Sequence, residues 1–224
     1  MNDIEKINRV GTINKYQGAV EIVRRLKRKG HEAYFVGGWV RDKLLGIVNE
    51  ESDIDIATSC PIIEVPKIFS DAVYVGEAFG VSLIKIKAEK GYYTYDVATF
   101  RWEGIYEDGR HPKEYKVKSV SVEEDAKRRD FTINALYYDP TKDRILDFVG
   151  GKKDLENGVI RTVGSPRDRF VEDKLRMLRA VRLHFQLNRH QTKTSPTFKI
   201  EDNTKKMIEE LSSELLPSVS YERI

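Results

Sequence analysis

The chain has 224 residues and a formal net charge of +3, with 39 lysines and arginines against 36 aspartates and glutamates. Hydrophobic residues make up 40% and charged residues 33% of the sequence, which is typical of a folded, water-soluble protein and excludes a disordered tail. No apolar run reaches the roughly 20 residues that a membrane-spanning helix requires, and a single cysteine, Cys60, excludes an internal disulfide. We therefore expect a cytoplasmic protein, whose small positive charge permits a nucleic-acid partner without arguing for one.

The first elements follow from the spacing of the apolar residues. Apolar positions at helical spacing predict a helix over 16–29, and a short apolar run predicts a strand over 33–36. The pair Gly37-Gly38 ends that strand, and we expect a second helix over 39–45.

The middle of the chain shows the two-residue period of β-strands. Three segments follow it, of which the last two are joined by a hairpin turn: 52–58, 81–88 and 92–100. Residues 102–118 are polar, carry two glycines and show no sustained period, so we interpret them as a long functional loop. A helix over 123–136 and a strand over 144–148 complete this part of the chain.

Beyond about residue 155 the sequence changes to a helical pattern. We predict a long helix over 172–187, a polar linker over 190–197 and a further helix over 202–213. The chain therefore divides into a head of mixed helices and strands and a region of helices.

Three aspartates lie in predicted strands. Asp53 and Asp55 are two residues apart, so their side chains should point to the same face of a strand. Adjacent carboxylates repel each other, and a divalent cation such as Mg²⁺, which prefers oxygen ligands, would neutralise them. Asp96 in another strand would complete a site for two metal ions that act at a phosphate. Taken alone, each residue is better explained as an exposed strand residue.

Glycines and charged residues elsewhere suit a nucleotide. Gly37 and Gly38 lie between a strand and a helix, where backbone amides can approach a phosphate, and Arg41 follows one turn later. Arg129 suits a triphosphate, and Asp130 can accept hydrogen bonds from ribose hydroxyls. The simpler alternatives are an ordinary tight turn and a solvated helix start.

A further charged cluster lies in the long predicted helix. Asp173 can accept from an exocyclic amine and Arg176 can donate to a ring acceptor, so the pair could select cytosine and adenine against uracil. Arg179 and Arg182 follow in steps of three, and each step turns the stripe by about 60°. One ligand would have to lie along the helix to touch all four residues. The alternative is a surface ion pair, worth about 0.2–0.5 kcal/mol.

Together these segments resemble the family of class II tRNA nucleotidyltransferases and bacterial poly(A) polymerases, within the DNA polymerase β superfamily. The resemblance extends over about residues 15–187. Six motifs in the order of that family carry it: VGGWVRD (36–42), DIDIA (53–57), DVATFR (96–101), RRDFTINA (128–135), FVGGKKDL (148–155) and EDKLRMLRAVR (172–182).

The resemblance implies an α+β fold, in which a nucleotidyltransferase head (1–154) with a mixed sheet of roughly five strands precedes an all-helical neck (155–224). It implies that residues 102–118 are a flexible loop that acts more on A addition than on C addition. It also implies body and tail domains that hold tRNA, so the chain is expected to be a piece of a longer protein or a shortened one. The oligomeric state is left open.

The implied activity is template-independent addition of C and A nucleotides to the 3′ end of tRNA, from CTP and ATP and without a membrane partner. Mg²⁺ would be bound by Asp53 and Asp55, with Asp96 as the third catalytic carboxylate. Residues of the other motifs would contact the nucleotide: Gly37, Gly38, Arg41, Arg129, Asp130, Asn134, Asp173, Arg176, Arg179 and Arg182. The alternatives stay open: a poly(A) polymerase, an enzyme that adds only A to tRNA, and a non-catalytic module that binds RNA or nucleotides.

Overall fold

A computed structural model describes five stretches of the chain: residues 13–70, 72–74, 81–101, 120–189 and 196–215. The predicted loop at 102–118 and most of the predicted linker at 190–197 lie outside the described residues. No helix in the described part is long and apolar enough to cross a membrane.

The centre of the fold is a mixed β-sheet. Its described strands are β1 (Ala33–Val36), β2 (Asp55–Thr58), β3 (Ala72–Tyr74), β4 (Val81–Lys87), β5 (Tyr92–Thr99), β6 (Leu136–Asp139) and β7 (Arg144–Asp147). The strand order is β3-β4-β5-β2-β1-β6-β7, in which β2 and β5 are parallel and the other pairs antiparallel. The predicted α+β class with a mixed sheet is confirmed, and the sheet has seven strands where roughly five were expected.

Helices cover this sheet and continue beyond it. They are α1 (Lys15–Arg28), α2 (Gly38–Leu45), α3 (Val65–Ile68), α4 (Val122–Lys127), α5 (Gly151–Glu156), α6 (Pro166–Glu172), α7 (Leu175–Arg189) and α8 (Asp202–Leu211). Helix α1 begins with a capping box, in which Asn14 and Gln17 each accept a hydrogen bond from the other's backbone amide. The buried face of α1 and Leu183 and Leu187 of α7 belong to one hydrophobic cluster. Head and helical region therefore share a core.

The predicted helix over 123–136 is wrong beyond Lys127, where α4 ends. Ile133 lies in a short 3-10 helix and Phe131 immediately precedes it, and both side chains are wholly buried. Leu136 then begins β6. A short apolar run is compatible with a buried strand as well as with a helix. Here its end forms a strand, because it pairs with β1.

The predicted helix over 172–187 is interrupted at its second residue. Asp173 has an extended backbone (φ −148°, ψ 106°) and ends α6, and α7 begins at Leu175. The Asp173 carboxylate accepts a hydrogen bond from the Leu175 amide at 3.0 Å, which stabilises the break.

Residues 155–224 were expected to be all helical, but their described part also contains strands, so that part of the expectation is wrong. Two short strands, β8 (Val159–Ile160) and β9 (Lys199–Ile200), pair in parallel. Gly158 precedes β8 with φ +67°, and a Cβ there would collide with the Thr197 carbonyl oxygen. Two chain segments approach closely because this position has no side chain.

Candidate active site

Asp53, Asp55 and Asp96 lie together at the middle of the sheet, as predicted. Asp55 and Asp96 occupy adjacent positions on the parallel strands β2 and β5. Ile54 and Ile56 are buried, whereas Asp53 and Asp55 point to the solvent side. The alternation read from the sequence puts Asp53 and Asp55 on one face, although Asp53 precedes the regular strand, and the pairing of β2 with β5 adds Asp96.

Burial and the nearby carboxylates raise the pKa of Asp55 above its usual range. The largest cause is the surrounding protein, which displaces part of the water around the carboxylate. The negative charge of Asp96 is the next largest cause. Arg129 opposes the shift, and Asp53 adds to it. The Lys15 ammonium lies 2.7 Å from an Asp53 oxygen, although the Asp53 side chain is 94% exposed. Oxygen donors that hold unbalanced negative charge fit a divalent cation of the Mg²⁺ type.

Gly37 brings the main chain close to these carboxylates. It has φ +79°, which favours glycine, and a Cβ there would lie 3.8 Å from Asp55 Oδ2. Helix α2 begins at the next residue, so its first amides lie beside the carboxylate face. This arrangement suits a phosphate that bridges the carboxylate site and the helix.

Arg41 joins two of the predicted motifs. Its Nη1 donates to Asn134 Oδ1 at 2.7 Å, and its Nε donates to Asp42 Oδ1 at 2.8 Å. The guanidinium lies over Gly38, where a Cβ would be 3.5 Å from it. Arg41, Gly38 and Asn134 are therefore one group, with the arginine held in place on both sides.

Arg129 is held by a buried carboxylate that the sequence interpretation did not single out. Its Nη2 donates to Asp125 at 3.1 Å and its Nε donates to the Tyr137 hydroxyl at 2.8 Å. The Asp125 side chain is 0% exposed and also accepts from Arg128, from Tyr137 and from the backbone amide of Arg101. These cations and donors lower the pKa of Asp125, although burial alone would raise it.

The signal for Asp125 was present in the sequence. Arg128 and Arg129 follow it at three and four residues, the spacing at which an acidic and a basic side chain meet on a helix. Tyr137 had no such signal, because it lies in β6, a strand that the sequence interpretation did not predict.

Asp130 and Arg179, both predicted for nucleotide binding, join the segment after α4 to helix α7. Two guanidinium nitrogens of Arg179 lie 2.9 and 2.8 Å from Asp130 Oδ2. The other oxygen of Asp130 accepts from the amide of Phe131 at 2.8 Å. Arg169 of α6 adds a second link, since it donates to the carbonyl oxygen of Arg128 at 3.3 Å.

The remaining predicted residues lie on α6 and α7. Arg176 donates to the Glu172 carboxylate and to the carbonyl oxygen of Arg169. The sequence had suggested that Asp173 belongs to a continuous stripe on one long helix. This is wrong, because Asp173 lies in the break between α6 and α7. Arg182 lies about 9 Å along α7 from Arg176 and is exposed. Direct contacts or charge interactions thus connect Arg41 with Asn134, Arg129 with Asp55, and Asp130 with Arg179. For Arg182 the described residues show no ion pair.

Comparison with known proteins gives a consistent result. The profile of the family described as "Poly A polymerase head domain" matches residues 33–161. The chain is 44% identical over 212 residues to the CCA-adding enzyme of Ligilactobacillus salivarius and 45% identical over 206 residues to that of Bacillus subtilis. These alignments cover 94% and 92% of the chain but 48% and 47% of the relatives, so the chain spans about half of their length.

Solved structures agree with this. The Bacillus stearothermophilus CCA-adding enzyme in complex with CTP matches with a TM-score of 0.74 and 38% identity, over 93% of this chain and 46% of that one. A complex of a CCA-adding enzyme with ATP matches with a TM-score of 0.69 and 28% identity, over 93% and 45%. The Thermotoga maritima CCA-adding enzyme complexed with tRNA matches with a TM-score of 0.67 and 26% identity, over 95% and 46%.

Proposed function

The chain belongs to the family of poly A polymerase head domains, and on that basis we propose that it is the nucleotidyl-transferring part of a CCA-adding enzyme. It adds C and A nucleotides to the 3′ end of tRNA from CTP and ATP. The observation that carries the proposal is the placement of Asp55 beside Asp96, with Gly37 and Arg129 at the same face. The similarity of over nine-tenths of the chain to CCA-adding enzymes supports tRNA as the acceptor.

In this reaction the 3′ hydroxyl of the tRNA attacks the α-phosphorus of the nucleotide, a new phosphodiester forms and pyrophosphate leaves. Nucleotidyltransferases of this family are metal-dependent, and we propose that Mg²⁺ is bound by Asp53 and Asp55 with Asp96 beside them. Bound there, Mg²⁺ supplies positive charge at the reacting phosphate and favours ionisation of the attacking hydroxyl.

The chain's own residues orient the nucleotide. The amides that open α2 and the Arg41 guanidinium face the phosphates, and Gly37 leaves room for them beside Asp55. Arg129, fixed by Asp125, adds a cation for the phosphate or sugar. Asp130 accepts from ribose hydroxyls with the oxygen that it shares with Arg179.

Base selection falls to the junction of α6 and α7. Asp173 accepts from the exocyclic amine of cytosine or adenine, and Arg176 donates to the ring acceptor beside it. Both side chains already have protein partners, the amide of Leu175 and the carboxylate of Glu172. These partners fix the two groups before the base arrives, which reduces the entropy lost on binding. Arg179 and Arg182 extend the same surface along α7.

We retain the division into a head at 1–154 and a neck at 155–224 as part of this proposal, and a cytoplasmic location follows from a tRNA substrate. The test uses the chain with tRNA transcripts that end at the discriminator base, Mg²⁺, and CTP and ATP separately and together. Sequencing of the product ends should show C-C-A when both nucleotides are present. Tails of A alone would favour the poly(A) alternative. Binding of CTP and ATP without any incorporation would favour a non-catalytic module.

A further inference from the structure

Three side chains with metal-binding atoms meet at the end of the sheet opposite to the carboxylates. His31 precedes β1, Cys60 follows β2 and Glu64 lies in the short 3-10 helix Ile62–Glu64. A ring nitrogen of His31, Cys60 Sγ and a Glu64 carboxylate oxygen all lie within 4.8 Å of one another. The Nε2 atom of His31 is 3.7 Å from Glu64 Oε2.

These separations are close to those around one tetrahedral ion. Zinc binds sulfur at about 2.3 Å and nitrogen or oxygen at about 2.0–2.2 Å, so two of its ligands lie about 3.3–3.7 Å apart. The His31–Glu64 separation already has this value, and closing the rest of the triangle takes movements of about 1 Å. Cys60 is wholly buried, but the Glu64 side chain is 44% exposed and can rotate, so solvent can supply a fourth ligand from the Glu64 side of the site.

The donors select a different ion from the one that suits the carboxylate face. Thiolate and imidazole favour zinc and similar transition metals, whereas Mg²⁺ prefers oxygen. We propose that His31, Cys60 and Glu64 bind a thiophilic divalent cation, with Zn²⁺ as the expected occupant. This proposal does not depend on the proposed function.

The register of β1 and β2 separates this site from the carboxylates. Val36 is opposite Asp55 at one end of the strand pair, and Ala33 is opposite Thr58 at the other. Roughly 10 Å of strand lies between the two ends, so one ion cannot serve both groups. An ion held by His31 and Cys60 would tie the entry of β1 to the exit of β2 and stabilise the fold.

Binding requires a proton to leave. Burial and the charge of Glu64 raise the pKa of the Cys60 thiol to about 11 without a metal. As the sulfur–metal bond forms, the S–H bond breaks and the proton passes to solvent, so each bound ion releases one proton.

The first test is a titration of the metal-free protein with Co²⁺ as a spectroscopic substitute for Zn²⁺. Cobalt bound to a thiolate gives a charge-transfer band in the near ultraviolet, which carboxylate ligands do not give. We expect this band to saturate at one equivalent and to disappear when Zn²⁺ is added. It should be absent in Cys60→Ser and weaker at equal Co²⁺ in His31→Gln and Glu64→Gln.

Two controls separate this site from the rest of the protein. Asp55→Asn changes the carboxylate face and should leave the band intact. Glu32→Gln changes the acidic residue next to His31 in the chain and should also leave the band intact. The Glu32 carboxylate accepts a hydrogen bond from the Tyr34 hydroxyl at 2.8 Å. The second measurement is thermal unfolding, in which Zn²⁺ should raise the midpoint of the parent protein but not of Glu64→Gln or His31→Gln.

The substitutions at His31 and Glu64 keep the test valid even if the buried Cys60→Ser variant fails to fold. Absence of the band from the folded parent protein at excess Co²⁺ would overturn the proposal. So would a band that His31→Gln and Glu64→Gln both leave unchanged, because the thiol would then bind the ion without these partners.

Discussion

Asp55 and Asp125 are two carboxylates on the two sides of Arg129, and their pKa values are shifted in opposite directions. Asp125 is fully buried, yet its pKa is lowered because Arg128, Arg129 and hydrogen-bond donors surround it. The pKa of Asp55 is raised, first because the surrounding protein displaces water from its carboxylate and then because of the charge of Asp96, and Arg129 only partly opposes this shift. The protein supplies the counter-charge for the first group and leaves that of the second to a ligand. This contrast separates a structural carboxylate from a candidate catalytic one.

The largest expected effect is on catalysis. Asp55→Asn removes a metal ligand, and loss of several kcal/mol of charge stabilisation at the transition state corresponds to about a thousandfold or more in rate. Because the pKa of Asp55 is raised on folding, its charged form costs stability above the unfolded pKa, so the variant should unfold at no lower urea concentration. Incorporation assays and urea titrations check both points. Glu89→Gln, in the exposed hairpin turn, is the control, and near-normal incorporation by Asp55→Asn would refute the metal assignment.

Asp125→Asn should show the reverse pattern, with its main loss in stability. It leaves Arg128 and Arg129 without their buried partner, which typically costs about 3–5 kcal/mol of unfolding free energy. Urea titration at neutral pH measures this loss. Glu123→Gln on the same helix is the matched control, since its ion pair with Lys127 is exposed on both sides and should contribute under about 1 kcal/mol. Equally small losses of unfolding free energy in both variants would contradict a structural role for Asp125.

The stabilisation by Asp125 should also depend on pH. A carboxylate whose pKa is lowered on folding contributes stability above its unfolded pKa of about 3.9, and this is lost as the pH falls through the folded value. The stability difference between the parent protein and Asp125→Asn should therefore be constant near neutral pH and shrink below about pH 4. A difference that grows on acidification would contradict the assigned direction of the shift.

A smaller effect is expected on base choice. Asp173→Ala removes the acceptor for the amine of C or A, and one such hydrogen bond is worth roughly 0.5–1.5 kcal/mol, or a few-fold to about tenfold. The ratio of incorporation with CTP or ATP to incorporation with UTP should fall by that factor. Lys174→Ala, whose side chain bonds Glu214 at 2.7 Å, is the neighbouring control. If Asp173→Ala slows on CTP and ATP yet rejects UTP as before, Asp173 does not read the base.

The smallest effect is expected at the link between head and neck. Arg179→Gln breaks a pair with Asp130 in which the arginine is about half exposed, so the loss should be at most about 1 kcal/mol in urea titration. The KM for nucleotide should rise while kcat changes less. A loss of unfolding free energy as large as that of Asp125→Asn would show that the exposed Arg179–Asp130 pair stabilises the fold as much as the buried pairs of Asp125 do.

Much of this site follows from local sequence signals. The alternation around Ile54 and Ile56 placed the first two aspartates on one face, and the glycine pair marked the start of α2. Both features are local: the first depends on the two-residue period of a strand, and the second on the backbone freedom of glycine. The parallel pairing that puts Asp96 beside Asp55 is a long-range contact that the spacing of residues does not predict. The family resemblance implied only that Asp96 is the third carboxylate.

The errors have a physical cause as well. Residues 131–138 are apolar at spacings compatible with helix and strand, and only pairing with β1 makes the end of this run β6. The break at Asp173 depends on the Leu175 amide bond and on packing of α6, so helical periodicity alone continued through it. The proposed metal site joins His31, which precedes β1, to Cys60 and Glu64, which follow β2, and a lone cysteine in the sequence gave no signal for it.

We propose that a bound metal ion supplies the positive charge that balances Asp53, Asp55 and Asp96. Electron paramagnetic resonance of Mn²⁺ in the presence of CTP measures this directly, and a Cys60→Ser background removes the second proposed site. We predict that the protein binds Mn²⁺, that Asp55→Asn loses this binding, and that Mg²⁺ displaces it. Unchanged Mn²⁺ binding in Asp55→Asn would contradict the account.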